Sequence, residues 1–337
     1  MMTPKQKILG CLIGAAAGDA MGAATETRTR TQIVDYFGGP VTTFLPAPDD
    51  VFAKGNIAGQ VTDDFSLAYE TIRAILQHRA ITDAVVVDSL REWAKEEHNN
   101  MRLAGPTTRA FIEAKIKGIE LPASPYANDN AKATNGAAMK MAPIACFSIG
   151  DVDKAMDIAL TVGQVTHNNQ LALSAACAMA AATAKAIQPL STLDDICQAG
   201  LLGATKGHQL ALERGASELA GSRIDRRIEL AFDIANRHLE TTQLMDDLND
   251  FVGAGLMAHE AVPTAFGLFK GLGHSPLECL YAAVNIGNDT DTVATMVGGL
   301  LGALYGPDVF PNDWKSVLEQ ANHYDFDALV EGILATP

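Results

Sequence analysis

Apolar positions recur along most of this chain with the period of an α-helix, and they are bracketed by helix caps. Thr3-Pro4-Lys5-Gln6 places a cap, a proline at the first helical position and a capping-box glutamine ahead of an apolar run. A helix is expected to start there and run toward Gly18. Caps followed by the same pattern stand at Thr31 ahead of Gln32, at Thr62 ahead of Asp63-Asp64, at Thr82-Asp83 ahead of a run to Trp93, and at Asp151 ahead of Val152. Further helices are expected at 170–187, 192–213, 223–239, 243–259, 276–285 and 292–304. Strand signals are weak and confined to pieces such as Val41 to Leu45. Loops are expected near 38–60, rich in Gly and Pro, and near 118–136, with Pro122, Pro125 and an Asn-Asp-Asn run. Gly10, Gly14, Gly18 and Gly22 recur every four residues, as do Gly298, Gly302 and Gly306. Each series leaves a helix face without side chains, where another backbone can approach closely.

Composition sharpens this picture. Hydrophobic residues make up 48% of the 337 residues and aromatics only 6%, and Ala-rich stretches such as Leu171 to Ala184 stand where sheets would place Val, Ile and Phe. That favours closely packed helices in one all-α domain, 1–337, without repeat or flexible linker. The formal charge of -15 repels polyphosphates at long range, so extended nucleic acid is excluded as an expected partner. The five cysteines show no Cys-x-x-Cys spacing and read as reduced core residues, which makes the cytoplasm the expected compartment. Gly10 to Ala24 carries Asp19 and is too short to cross a bilayer, and Leu171 to Ala184 is also too short, so no membrane is expected.

The candidate chemistry lies in two acidic clusters, Thr62-Asp63-Asp64 and Asp289-Thr290-Asp291-Thr292. Adjacent carboxylates repel, and placing them at a helix start makes sense when they meet the positive end of the helix dipole, a cation, or both. Alternating oxygen ligands on the turn after Gly287-Asn288 resemble the opening of a hard-cation loop. Taken singly, each cluster is equally well explained by helix capping and turn chemistry. Together with Asp19 and Glu26, oxygen ligands from several segments can surround two ions that no one segment could hold.

The order Gly14-x-x-x-Gly18-Asp19-Ala20-x-Gly22 with Glu26, then Thr62-Asp63-Asp64, then Asn135-Gly136-Ala137-Ala138-Met139-Lys140-x-x-Pro143, then Thr166-His167, then Asp289-Thr290-Asp291-Thr292 resembles the ADP-ribosylglycohydrolase family over residues 10 to 306. The resemblance implies a compact orthogonal all-α multi-helix bundle with a binuclear centre of two Mg2+, Mn2+ being possible, that hydrolyses a glycosidic bond at C1 of a ribose. It makes Thr62, Asp63, Asp64, Asp289, Asp291 and Thr292 the metal ligands. Glu26, Asp63 and Asp291 become the catalytic groups, with Glu26 near the ribose as gate or general acid/base. Asn135, Gly136, Lys140, His167, Gly105 and Thr107 become substrate-binding residues, and Asp19 a support of the metal shell. The implied substrate is a small-molecule or protein-linked ADP-ribosyl compound.

The chain departs from the family where backbone N–H groups cradle phosphates. Asn128-Asp129-Asn130-Ala131-Lys132-Ala133-Thr134 lacks glycine, and Asp129 adds a repulsive charge. Lys140 stands where Arg is common and loses the bidentate fork. Phe65 follows the first cluster where Thr or Ser is usual. These departures open a second reading, a nucleosidase-type hydrolase of a smaller ribosyl compound. A third is a non-catalytic ADP-ribose-binding relative. His259-Glu260 could reach the site from an Ala-rich segment, and nothing in the sequence fixes the oligomeric state.

Overall fold

The computed structural model describes residues 2–95, 100–122, 128–237 and 240–336, and among these residues it contains helices and loops but no strand. Helix α1 (Pro4–Gly22) starts with the expected reciprocal capping box between Thr3 and Gln6 and runs a turn beyond Gly18. Helix α2 (Arg30–Phe37) is capped by Thr29 and not by Thr31. The reason is the reciprocal bond: Gln32 reaches back to the Thr29 N–H at 2.9 Å, which fixes the cap three residues before it. Helices α3 (Asp63–His78) and α4 (Asp83–Trp93) start at Thr62 and Thr82 as expected. Two short helices follow, α5 (Pro106–Phe111) and α6 (Met141–Ala145), then α7 (Val152–Gln164) behind its Asp151 cap.

Next come α8 (Gln170–Ile187), α9 (Leu193–Glu213) and α10 (Ile224–Ala235). Helix α10 ends at Ala235 with Asn236 as its cap, short of the expected 239, which lies outside the described residues. The expected helix 243–259 is instead two elements. Helix α11 (Thr241–Asp247) passes into one π-helical turn, Leu248–Val252, and stops at Gly253, whose φ is +89°. Helix α12 (Ala258–Leu272) then carries Pro263 inside it. The ring leaves the His259 carbonyl without its helical donor, and the Arg227 guanidinium supplies one at 3.3 Å. Helices α13 (Pro276–Asn285), α14 (Thr290–Tyr305), α15 (Trp314–Asn322) and α16 (Phe326–Ala335) complete the chain. Residues 41–45 form no strand, because Val41 exchanges its backbone bonds with the Asn285 side chain, at 2.7 and 2.8 Å.

The pair α1 and α14 positions the site, and its closeness follows from the glycines. A Cβ on Gly14 would lie 2.1 Å from the Gly298 carbonyl oxygen, one on Gly18 2.0 Å from that of Ala294, and one on Gly302 1.9 Å from that of Gly10. Gly306 ends α14 at φ +77°, and its backbone still meets α1, since a Cβ on Gly10 would lie 2.5 Å from its carbonyl carbon. One apolar core links helices from both ends of the chain. Helix α8 crosses its centre and is 94% buried. By length and composition its 18 residues could cross a membrane, contrary to the shorter reading of Leu171 to Ala184. The five cysteines are free and buried.

Candidate active site

The N-termini of α3 and α14 converge beside the C-terminal end of α1, and the two acidic clusters meet there. Asp19, fully buried on α1, accepts the Thr62 N–H and the Phe65 N–H, both at 2.8 Å. Two orphan donors of the first turn of α3 are thus satisfied from another helix, which fixes where Asp63 and Asp64 sit. The Thr62 hydroxyl lies 3.3 Å from Asp64 Oδ2 and 3.5 Å from Asp291 Oδ2. Gly22 tightens the junction, since a Cβ there would meet the Asp291 Cα at 2.4 Å.

Glu26 comes from the turn after α1, which is laced to the turn before α14. Thr27 N–H donates to the Asn288 carbonyl at 2.8 Å, and Asn288 N–H to the Arg28 carbonyl at 2.9 Å. The Thr25 hydroxyl bonds the Val284 carbonyl at 2.6 Å. The backbone takes positive φ at Gly287 and Asn288, 95° and 67°, which turns Asp289 inward. Single oxygens of Glu26, Asp289 and Asp291 come within 4.8 Å of one another.

These groups line a cavity of about 210 Å³ together with Thr62, Asp63, Asp64 and Thr292. Burial pushes the Asp63 and Asp19 carboxyls up to about 7, against the pull of the backbone N–H groups they accept. Burial, with the charges of Asp289 and Asp63, pushes Glu26 up to about 9. Asp64 and Asp291 are raised well above the ordinary range by burial and by their acidic neighbours. Burial also raises Asp289, whose Oδ2 accepts the Asn135 side-chain amide at 2.5 Å. Glu26 Oε2 and Asp64 Oδ1 are buried without any hydrogen-bond partner. Hard oxygen donors, mutual repulsion and orphaned lone pairs fit a divalent cation held among them.

The opposite wall comes from the loops before α5 and α6. Gly105 N–H donates to Asp63 Oδ2 at 3.2 Å. A chain of polar contacts runs from the Thr107 hydroxyl to Thr134 at 3.1 Å, from Thr134 to His167 Nε2 at 2.9 Å, and from His167 Nδ1 to the Thr166 hydroxyl at 2.7 Å. The His167 ring packs on Gly136, where a Cβ would meet it at 2.9 Å. Burial, followed by the Lys140 charge, pulls this imidazole down to about 3, so it is neutral at physiological pH.

Of the residues picked out from the sequence, Glu26, Thr62, Asp63, Asp64, Gly105, Thr107, Asn135, Gly136, His167, Asp289, Asp291 and Thr292 all face this cavity. Lys140 does not. It is 1% exposed, lies behind the wall, and is pulled down to about 8 by burial, with Asp63 opposing. Its neighbour Met139 lines the cavity, while the Lys140 charge reaches Asp63 and His167 from behind them. His259 and Glu260 are not among the lining residues either. Sequence reasoning missed Phe52, Thr134 and Leu256 on the cavity wall. A lone Phe in a Gly-rich loop and a Thr before Asn-Gly carry no spacing signal that could have marked them.

The fold matches a solved structure described as an ADP-ribosylglycohydrolase-related protein complex, with a TM-score of 0.67 at 22% identity, covering 99% of this chain and 98% of that one. The profile of the ADP-ribosylglycohydrolase family matches residues 1–336, and this chain belongs to that family of glycosyl hydrolases. It is 30% identical to the uncharacterized protein YegU of Escherichia coli (strain K12), over 96% of this chain and 94% of the relative. It is 27% identical to the ADP-ribosylhydrolase ARH3 of Homo sapiens, over 92% and 88%.

Proposed function

We propose that this chain is a metal-dependent hydrolase that breaks a glycosidic bond at C1 of a ribosyl group, with Thr62, Asp63, Asp64, Asp289, Asp291 and Thr292 holding two Mg2+, or Mn2+. The observation that carries this reading is the buried meeting of five carboxylates in one cavity with Glu26 Oε2 and Asp64 Oδ1 unpartnered. Family membership supports ADP-ribosyl as the group attached there, and a relative is named an ADP-ribosylhydrolase.

When bound, the cations would offset the repulsion among the carboxylates and polarise oxygen atoms that meet them. The chain's own residues do the rest. Asp19 holds the start of α3 in place, and the Asn135 amide orients Asp289. Glu26, laced to the Asn288 turn, stands where it can take a proton from water or return one to the leaving atom. The neutral His167 keeps Thr134 and Thr107 in line on the opposite wall.

The test measures release of ribose or ADP-ribose from ADP-ribosyl-arginine and from nucleosides, with Mg2+ and with chelator. Asp63→Asn and Asp291→Asn are expected to abolish turnover and to lose the thermal stabilisation that Mg2+ gives the wild type. Wild-type activity in both variants would remove the metal reading.

A further inference from the structure

No lysine or arginine is among the described residues lining the cavity, and none of the residues outside the described set is a lysine or arginine. Five carboxylates face the space: Glu26, Asp63, Asp64, Asp289 and Asp291. A diphosphate entering this space meets acidic side chains and finds no lysine or arginine on the wall to pair with.

Three N–H groups of the segment that precedes Gly136 are already engaged within the protein. Lys132 N–H donates to the Asp129 carbonyl at 3.1 Å, Ala133 N–H to that of Asn130 at 3.2 Å, and Asn135 N–H to that of Leu256 at 2.9 Å. This segment closes into its own short turn, Asn130–Lys132, and is bridged to Met257 through Thr134. Lys132 extends toward Asp129, 3.8 Å away. Meanwhile the wall away from the carboxylates is apolar, with Phe52, Leu103 and Leu256 on it, and Phe52 is 69% exposed. At about 210 Å³ the cavity also falls below the range of roughly 300–1,000 Å³ usual for larger ligands.

We propose that this chain prefers a phosphate-free ribosyl compound of nucleoside type, its ribose against the carboxylates and its uncharged ring against Phe52 and the apolar wall. This rests on the ribosyl-hydrolase reading and narrows its substrate. Water adds across the bond: C1–N breaks, C1–O forms, and the base leaves with one proton of the water, so no oxidant or further reactant is consumed.

The test uses the full chain with Mg2+. Calorimetry compares the binding of adenosine, AMP and ADP-ribose, and turnover is followed for adenosine, AMP and ADP-ribosyl-arginine. Adenosine is expected to bind about tenfold tighter than AMP or ADP-ribose. Leu103→Arg, which adds a cation to the wall, is expected to bring AMP within about threefold of adenosine. Phe52→Ala is expected to weaken adenosine about tenfold, the size of a lost ring stack, while free ribose binds as before. ADP-ribose binding as tightly as adenosine, or adenosine failing to bind, overturns the proposal. Turnover of ADP-ribosyl-arginine with adenosine untouched overturns it too and leaves the hydrolase reading standing. Loss of all turnover with adenosine still preferred in binding does the reverse: it removes the hydrolase reading and supports the phosphate-free preference.

Discussion

Asp19 gives the clearest case of one side chain deciding the geometry of others. Each of its oxygens accepts a different backbone N–H of the first turn of α3, at 2.8 Å, in a fully buried setting. In Asp19→Asn one oxygen becomes an NH2 that faces an N–H, so a buried donor goes unpaired. We predict a loss of about 1–3 kcal/mol in urea unfolding, together with a fall in turnover; unchanged stability would mean that Asp19 does not hold the start of α3. His167 allows a pH prediction. Its folded-state value is depressed to about 3 by burial, so its stabilising contribution is present above the unfolded value, near 6.5, and is lost as pH falls toward 3. Wild type should therefore lose stability faster than His167→Gln across that window, by up to about 1.4 kcal/mol per pH unit, with parallel curves above it. Parallel curves throughout would mean that the ring does titrate normally. The acidic doublets were legible in the sequence because paired carboxylates at a helix start are conspicuous. The Asp19 bonds were not, since they join residues more than forty positions apart through backbone groups that no pattern marks.

At the scale of elements, the glycine spacing carried its meaning directly. Four-residue repeats in two separate segments read as bare helix faces, and α1 and α14 do meet along them. Both helices supply site residues, so the ridge sets the separation of Asp19 from Asp291 as well as the packing. Gly18→Ala would put a Cβ 2.0 Å from a backbone oxygen that cannot rotate away. We predict destabilisation of at least about 3 kcal/mol and loss of the Mg2+-dependent thermal shift. Gly38→Ala is the control, with nothing within 4 Å and only its φ of +74° to strain; its cost should stay near 1–2 kcal/mol. Comparable losses in the two variants would mean that close approach is not the cause. Element boundaries were less legible. Thr29 and Thr31 offer the same chemistry and only the reciprocal Gln32 bond separates them, while Pro263 sits inside α12 because a distant Arg227 answers the carbonyl it frees.

For the whole molecule, an all-helical body followed from Ala-rich patterning with few aromatics, but the placement of the loops did not. The wall formed by Phe52, Leu103 and Leu256 is assembled from three loops with no shared pattern. The formal charge of -15 and the buried carboxylates act together on stability. Folding without cations must bring like charges into one cavity, and the raised values of Glu26, Asp63 and Asp64 show the direction of that cost. A cation that binds only the folded cavity stabilises the chain by mass action, by about 2.7 kcal/mol at a hundred times its Kd. We therefore predict a rise of several degrees in Tm with millimolar Mg2+ or Mn2+, reversed by chelator and absent in Asp64→Asn. Sodium chloride at equal ionic strength separates this from screening. Screening weakens repulsion between exposed charges across the surface, so it should act alike on wild type and variant, whereas a held cation should act on the wild type alone. Equal shifts in both proteins would assign the effect to net charge and would count against a cation bound among these carboxylates.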